Sequence, residues 1–102
     1  MLRSLTRRSA WIGRQFSTKL IRNSEEAIKD VKDGDFLLFG GFGLVGIPEN
    51  IIKALAVKGT TDHIVVSNEG GTDYFGLGLM IREGQIKKII SSYIGGNDEL
   101  VR

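Results

Sequence analysis

From Ser24 onward, short continuous apolar runs alternate with stretches whose apolar residues recur at helical spacing. Asn23 or Ser24 can cap a short helix running through Val31, with Glu25 and Glu26 in the first turn, where the helix dipole favours acids. Asp33-Gly34 marks a turn, and Phe36-Leu37-Leu38-Phe39 is a continuous apolar run of the kind that forms a strand buried on both faces. Pro48 fits the first position of a second helix, Ile51, Ile52, Leu55 and Ala56 give it an apolar stripe, and Gly59 ends it. His63 to Asn68 reads as a second strand, Glu69 to Asp73 as a loop, Leu77 to Ile81 as a short helix, and Lys88 to Ile94 as a third strand closed by Gly95-Gly96. No internal repeat is visible. The alternation predicts an α/β chain: a partial open parallel sheet, β-α-β-α-β, with flanking helices.

Composition narrows the chemistry. The chain has 102 residues, at most one small domain, and 41% hydrophobic residues, enough for a core. It has no Cys and one His, which excludes a disulfide scaffold, a thiol nucleophile and a Cys-based metal site, and leaves no His-rich metal cluster. No run of about 18 apolar residues is present, so no membrane-spanning helix is expected.

The charge is divided unevenly. Residues 1–24 hold six basic groups (Arg3, Arg7, Arg8, Arg14, Lys19, Arg22) and no acid, whereas residues 25–102 are net acidic. An Arg-rich, acid-free segment with Leu2, Leu5, Ile12 and Phe16 on one helical face has the composition of a mitochondrial transit peptide. Arg14-Gln15-Phe16-Ser17 resembles a matrix-processing site, which makes residues 1–16 the expected leader, 17–102 the body and the mitochondrial matrix the destination. A basic arm for nucleic acid or lipid is the competing reading of the same segment.

Thirteen of the 14 glycines lie between Gly34 and Gly96. Gly41-Phe42-Gly43-Leu44-Val45-Gly46 is literally G-x-G-x-x-G between a strand and a helix, and Glu69 stands where a ribose-binding acid would stand. Against a dinucleotide fingerprint, Gly40 and Pro48 imply a longer loop with the helix starting after the third glycine. A P-loop is excluded because no Gly-Lys-Ser/Thr comes after it. A loop rich in exposed amides that leads into a helix N-terminus suits an oxyanion, a phosphate or a carboxylate. The plainer alternative is that the glycines only let helix and strand approach closely.

The run Asp33-Gly34-Asp35-Phe36-Leu37-Leu38-Phe39-Gly40-Gly41-Phe42-Gly43-Leu44-Val45-Gly46-Ile47-Pro48 resembles the first signature of the family I coenzyme A transferases at every position. Ser67-Asn68, Phe75-Gly76-Leu77-Gly78-Leu79 and Ser91-Ser92-Tyr93-Ile94-Gly95 resemble later segments of the same family in the same order, so the likeness covers about Ser24 to Arg102. It implies the N-terminal part of a CoA-transferase domain. The implied substrates are acyl-CoA and carboxylic acids, with coenzyme A itself a substrate and no other cofactor and no metal. A homodimer is implied for the full-length enzyme, with no nucleic-acid partner.

The family chemistry is ping-pong: a glutamate attacks the acyl-CoA, forms an acyl anhydride and then a glutamyl-CoA thioester. The resemblance places Gly40, Gly41, Phe42, Gly43, Gly46, Pro48 and Asn68 beside that site. Glu69 departs from the Asn common after Ser-Asn, replacing a donor by an acceptor. None of Glu25, Glu26, Glu49, Glu69, Glu83 or Glu99 matches the nucleophile, so no catalytic residue is assigned and the chain corresponds to an N-terminal portion that is inactive alone. A non-catalytic nucleotide- or partner-binding α/β module is the other reading. His63 is expected to be surface or structural, Lys87-Lys88 a solvated strand start, and Phe42, Tyr74 and Phe75 packing groups.

Overall fold

The structure is a computed structural model that describes residues 20–102. The leader expected over residues 1–16 lies outside the described residues. The elements are α1 (Ser24–Ala27), β1 (Phe36–Phe39), α2 (Glu49–Lys58), β2 (His63–Glu69), α3 (Gly78–Arg82), β3 (Ile86–Tyr93) and α4 (Asp98–Val101). The three strands form one parallel sheet in the order β1-β2-β3, with Leu37 opposite Val65 and Val65 opposite Ile89. The expected β-α-β-α-β sheet is therefore present.

The core lies on one side of that sheet. Ile52, Ala54 and Leu55 of α2 and Met80 of α3 are buried with Val65, Leu77 and Ile28, and Leu37, Phe39 and Ile89 pack against them. This corrects the expectation that β1 is buried on both faces. Side chains alternate along a strand, and Phe36 and Leu38, on the face away from the helices, are 54% and 73% exposed. An unbroken apolar run fits a strand with either one or two covered faces, so the run alone does not decide between them.

Local chemistry sets the other boundaries. Asn23 caps α1, its side chain accepting from Glu26 N at 2.8 Å. The helix stops at Ala27 rather than Val31, because Lys29 and Val31 bond three residues back, as in a 3₁₀ turn. The Nζ of Lys58 donates to the carbonyls of Ile28 and Lys29, both at 2.8 Å, which ties that turn to the end of α2. Pro48 is the N-cap of α2 rather than its first residue, and Gly59 closes the helix in the left-handed conformation, φ +78°. The second strand extends one residue further than expected, to Glu69, and the third runs from Ile86 to Tyr93. The short helix α4 after Gly95-Gly96 was not expected; it is capped by Asn97, whose side chain accepts from Leu100 N at 3.2 Å.

His63 is structural and fully buried. Its Nδ1 lies 3.1 Å from the carbonyl of Asp35 and its Nε2 2.8 Å from Thr60 Oγ1. A carbonyl can only accept, so Nδ1 carries a proton and donates to it, while Nε2 shares a hydrogen bond with the threonine hydroxyl. Gln85, also buried, donates to the carbonyls of Leu55 and Thr60 at 2.9 and 2.8 Å, so these two side chains lock the N-terminal end of the sheet.

Candidate functional site

The predicted loop leaves the C-terminal end of β1, the end of a parallel sheet where ligands bind in open α/β folds. It is a tight hairpin. Phe42 N donates to Val45 O and Val45 N to Phe42 O, both at 2.9 Å. Gly43 has φ +60° and Leu44 has no positive φ, which matches a type II′ turn with glycine in its first central position. The amides of Gly43, Leu44, Gly46 and Ile47, and those of Asn50 and Ile51 in the first turn of α2, donate to nothing among the described residues. Pro48 supplies no side-chain cap. The loop therefore presents free N–H donors beside a helix N-terminus, the arrangement that stabilises an oxyanion or a carboxylate.

A second hairpin stands at the end of β2. Gly70-Gly71-Thr72-Asp73-Tyr74-Phe75-Gly76 repeats Gly40-Gly41-Phe42-Gly43-Leu44-Val45-Gly46 with an offset of 30 residues, and the bridge between Thr72 and Phe75 is the counterpart of that between Phe42 and Val45. Positive φ recurs at Gly41 and Gly71 and at Gly46 and Gly76. This corrects the reading that no internal repeat exists. Only the three flanking glycines and the bridge repeat, and the turn type does not, since Gly43 has φ +60° and Asp73 has no positive φ; a comparison of side chains misses the likeness, whereas the glycine spacing alone would have found it.

Between the hairpins lies a cavity of about 10 Å³, room for a single water. Of the residues singled out from sequence, Gly40, Gly41, Gly43 and Asn68 line it. Phe42, Gly46 and Pro48 do not: Phe42 flanks the turn, 73% exposed, Gly46 follows the hairpin and Pro48 caps α2. The cavity also takes in Glu69, the sequence's departure from the family Asn, and three residues not singled out for the site, Ser67, Gly71 and Gly76, with Ile47, Ile52 and Leu77 as its apolar floor. Tyr74 and Phe75 are exposed like Phe42, so of the three aromatics expected to be packing groups none enters the core; Tyr74 instead carries the Arg82 guanidinium 4.6 Å above its ring. Glu49 forms an i,i+4 pair with Lys53 at 3.9 Å on the surface of α2, the behaviour of a first-turn helix acid.

The second hairpin is braced. Asn97 donates from Nδ2 to Gly70 O at 3.1 Å, Leu100 fills the space beside the Gly70 Cα, and Asp73 Oδ1 accepts from the amides of Asp98 and Glu99 at 2.8 and 3.3 Å. Among the described residues no helix is long and apolar enough to cross a membrane, and no group of three or more His, Asp or Glu side chains is placed to hold a metal ion.

Fold and site together define an α/β protein that offers backbone donors at the C-terminal end of a parallel sheet. Residues 21–102 match the Coenzyme A transferase family, to which the chain belongs. It is 53% identical over 79 residues to a succinyl-CoA:3-ketoacid coenzyme A transferase subunit of Helicobacter pylori strain J99, a match covering 78% of this chain and 34% of that protein. It is 47% identical over 72 residues to the mitochondrial succinyl-CoA:3-ketoacid coenzyme A transferase 2A of Mus musculus, covering 71% of this chain and 14% of that one. The chain thus spans about a third of the length of its bacterial relatives. A solved acyl-CoA transferase from E. coli O157:H7, in thioester complex with CoA, shares the fold with a TM-score of 0.61 at 22% identity, over 78% of this chain and 17% of that one.

Proposed function

We propose that this chain forms the glycine-hairpin part of an enzyme that moves CoA from succinyl-CoA to a 3-oxo acid such as acetoacetate, the step that activates ketone bodies. The free amides of Gly43, Leu44 and the first turn of α2 carry this reading. Fixed donors of this kind stabilise a carboxylate, or the oxyanion that develops when an acyl carbonyl is attacked. The relatives' names support the substrate pair. In this reading the nucleophilic glutamate comes from outside residues 21–102, the working enzyme is a homodimer, and CoA enters as substrate with no metal or further cofactor.

The mouse relatives' mitochondrial names, together with the acid-free arginine segment before Ser17, support import into the matrix with loss of residues 1–16. Purified from mitochondria, the mature chain is then expected to begin at or next to Ser17, and an intact Met1 there would contradict import with cleavage. The function is tested by a chimaera of the mouse 2A protein in which residues 24–102 of this chain replace the matching segment. Acetoacetyl-CoA formation from succinyl-CoA and acetoacetate is expected of the chimaera and not of this chain alone. A folded chimaera without transfer, or sustained turnover by the chain alone, overturns the reading.

A further inference from the structure

The face of the sheet turned away from α2 and α3 is apolar and open. Two rows of side chains cross it in register, Phe36, Ile64 and Lys88, then Leu38, Val66 and Ile90. Ile64 and Val66 are half-buried by their neighbours, whereas Phe36, Leu38 and Ile90 are 54%, 73% and 46% exposed. Parallel sheets are ordinarily covered on both faces. The edge of β1 is open as well, since among the described residues β1 pairs with β2 alone. Asp35 O accepts from Ile64 N at 3.3 Å, so by the alternation along a parallel ladder the backbone N–H and C=O groups of Phe36 and Leu38 point to that open edge.

Topology says how such a face is covered. The helix α2 joins β1 to β2 and α3 joins β2 to β3, and both lie on one side, as right-handed crossovers between strands added in one direction must. A further crossover in that direction would lie on the same side again. Only a right-handed crossover that returns to the open edge of β1 lays its helix over Phe36 and Leu38. A second copy fits poorly: the apolar rows span roughly 15 Å by 15 Å, about a quarter of the ~800 Å² per partner of a stable interface. One helix, about 10 Å across, covers most of them.

We propose that this face and the open edge of β1 form one docking surface, for an amphipathic helix followed by a parallel strand. The occupant is supplied by the polypeptide by which the longer relatives exceed this chain; the match covers only 34% of the H. pylori protein, which leaves ample length for it. The helix sets an apolar stripe on Phe36, Leu38, Val66 and Ile90 and an acid toward Lys88, the one charged side chain in the two rows, and the strand bonds to the backbone of Phe36 and Leu38.

Hydrogen exchange, read at single residues by mass spectrometry, tests this in the full chain and in the mouse 2A chimaera. The amides of Phe36 and Leu38 are expected to exchange freely in the chain alone and at least about a hundredfold more slowly in the chimaera. Leu38→Lys is expected to lower the Tm of the chimaera by at least roughly 10 °C and that of the chain alone by less than roughly 5 °C, because only in the chimaera is the charge buried. Unprotected Phe36 and Leu38 amides in a folded chimaera, or a Leu38→Lys chimaera as stable as its parent, overturn the proposal. Protection of both amides already in the chain alone also overturns it, and assigns the face to a second copy if it grows with concentration and to residues 1–19 if it does not. No acyl transfer is read, so either outcome leaves the transferase reading untouched.

Discussion

Replacing Gly78 by alanine sets two well-measured effects against each other. Gly78 is the first residue of α3, and helix propensity alone favours alanine over glycine there by about 1 kcal/mol. The structure reverses the sign. A Cβ on Gly78 would fall well inside contact distance of the Thr72 carbonyl oxygen, with the Thr72 carbonyl carbon at 2.8 Å and the Asp73 carbonyl carbon at 3.1 Å. All three are backbone atoms of the second hairpin, so no flexible side chain can give way. Making room means moving the hairpin off the start of α3, against the 3.2 Å bond from Gly78 N to Phe75 O and the two Thr72–Phe75 bonds at 3.2 and 3.4 Å. Overpacking of this kind costs about 1–3 kcal/mol, and each lost bond adds about 1 kcal/mol. The net loss is about 2–3 kcal/mol, which for a domain of this size lowers Tm by roughly 10–20 °C. Thermal and urea unfolding of the full chain, followed by circular dichroism, measures it. Gly84→Ala is the control: Gly84 has φ +66° and open space around its Cβ position, so only the backbone cost of about 1 kcal/mol is expected. A Gly78→Ala chain as stable as the parent would refute the close approach of hairpin and helix.

Asn97→Ala removes the bond to Gly70 O and the cap of α4 together, and is expected to cost about 2 kcal/mol and to raise amide exchange in the second hairpin more than in the first; equal exchange in both would contradict the bracing. The ¹⁵N shifts of His63 are expected to show Nδ1 protonated, and an unprotonated Nδ1 would show that the bond to the Asp35 carbonyl is not formed.

Much of this architecture is legible in the chain. The run Phe36 to Phe39 matches β1 residue for residue, and Gly59 ends α2 because a positive φ there demands glycine. Boundaries slipped where the deciding contact is tertiary: α1 stops early against Lys58, and α4 depends on Asp73, 25 residues before Asp98. Half of the candidate site was legible through the Gly40–Pro48 signature. The other half, from Gly70 to Gly76, was hidden because only the glycine spacing repeats there, without repeated side chains. The exposure of Phe42, Tyr74 and Phe75 escaped for a related reason: an aromatic residue next to a glycine turn gives no sign of which way the tip points.

At the centre of the proposed function is a first hairpin that holds the reacting carboxylate rather than merely joining strand to helix. Gly43→Ala and Gly59→Ala, each made in the mouse chimaera, test it directly. Both positions have positive φ, +60° and +78°, so both variants carry a backbone cost, larger at the turn position of Gly43, but only Gly43 lines the cavity. With both variants assayed well below their Tm, the expected result is a fall of at least about tenfold in kcat/KM for acetoacetyl-CoA formation in Gly43→Ala alone. Equal activity in the two variants would contradict it and leave the hairpin a purely structural turn.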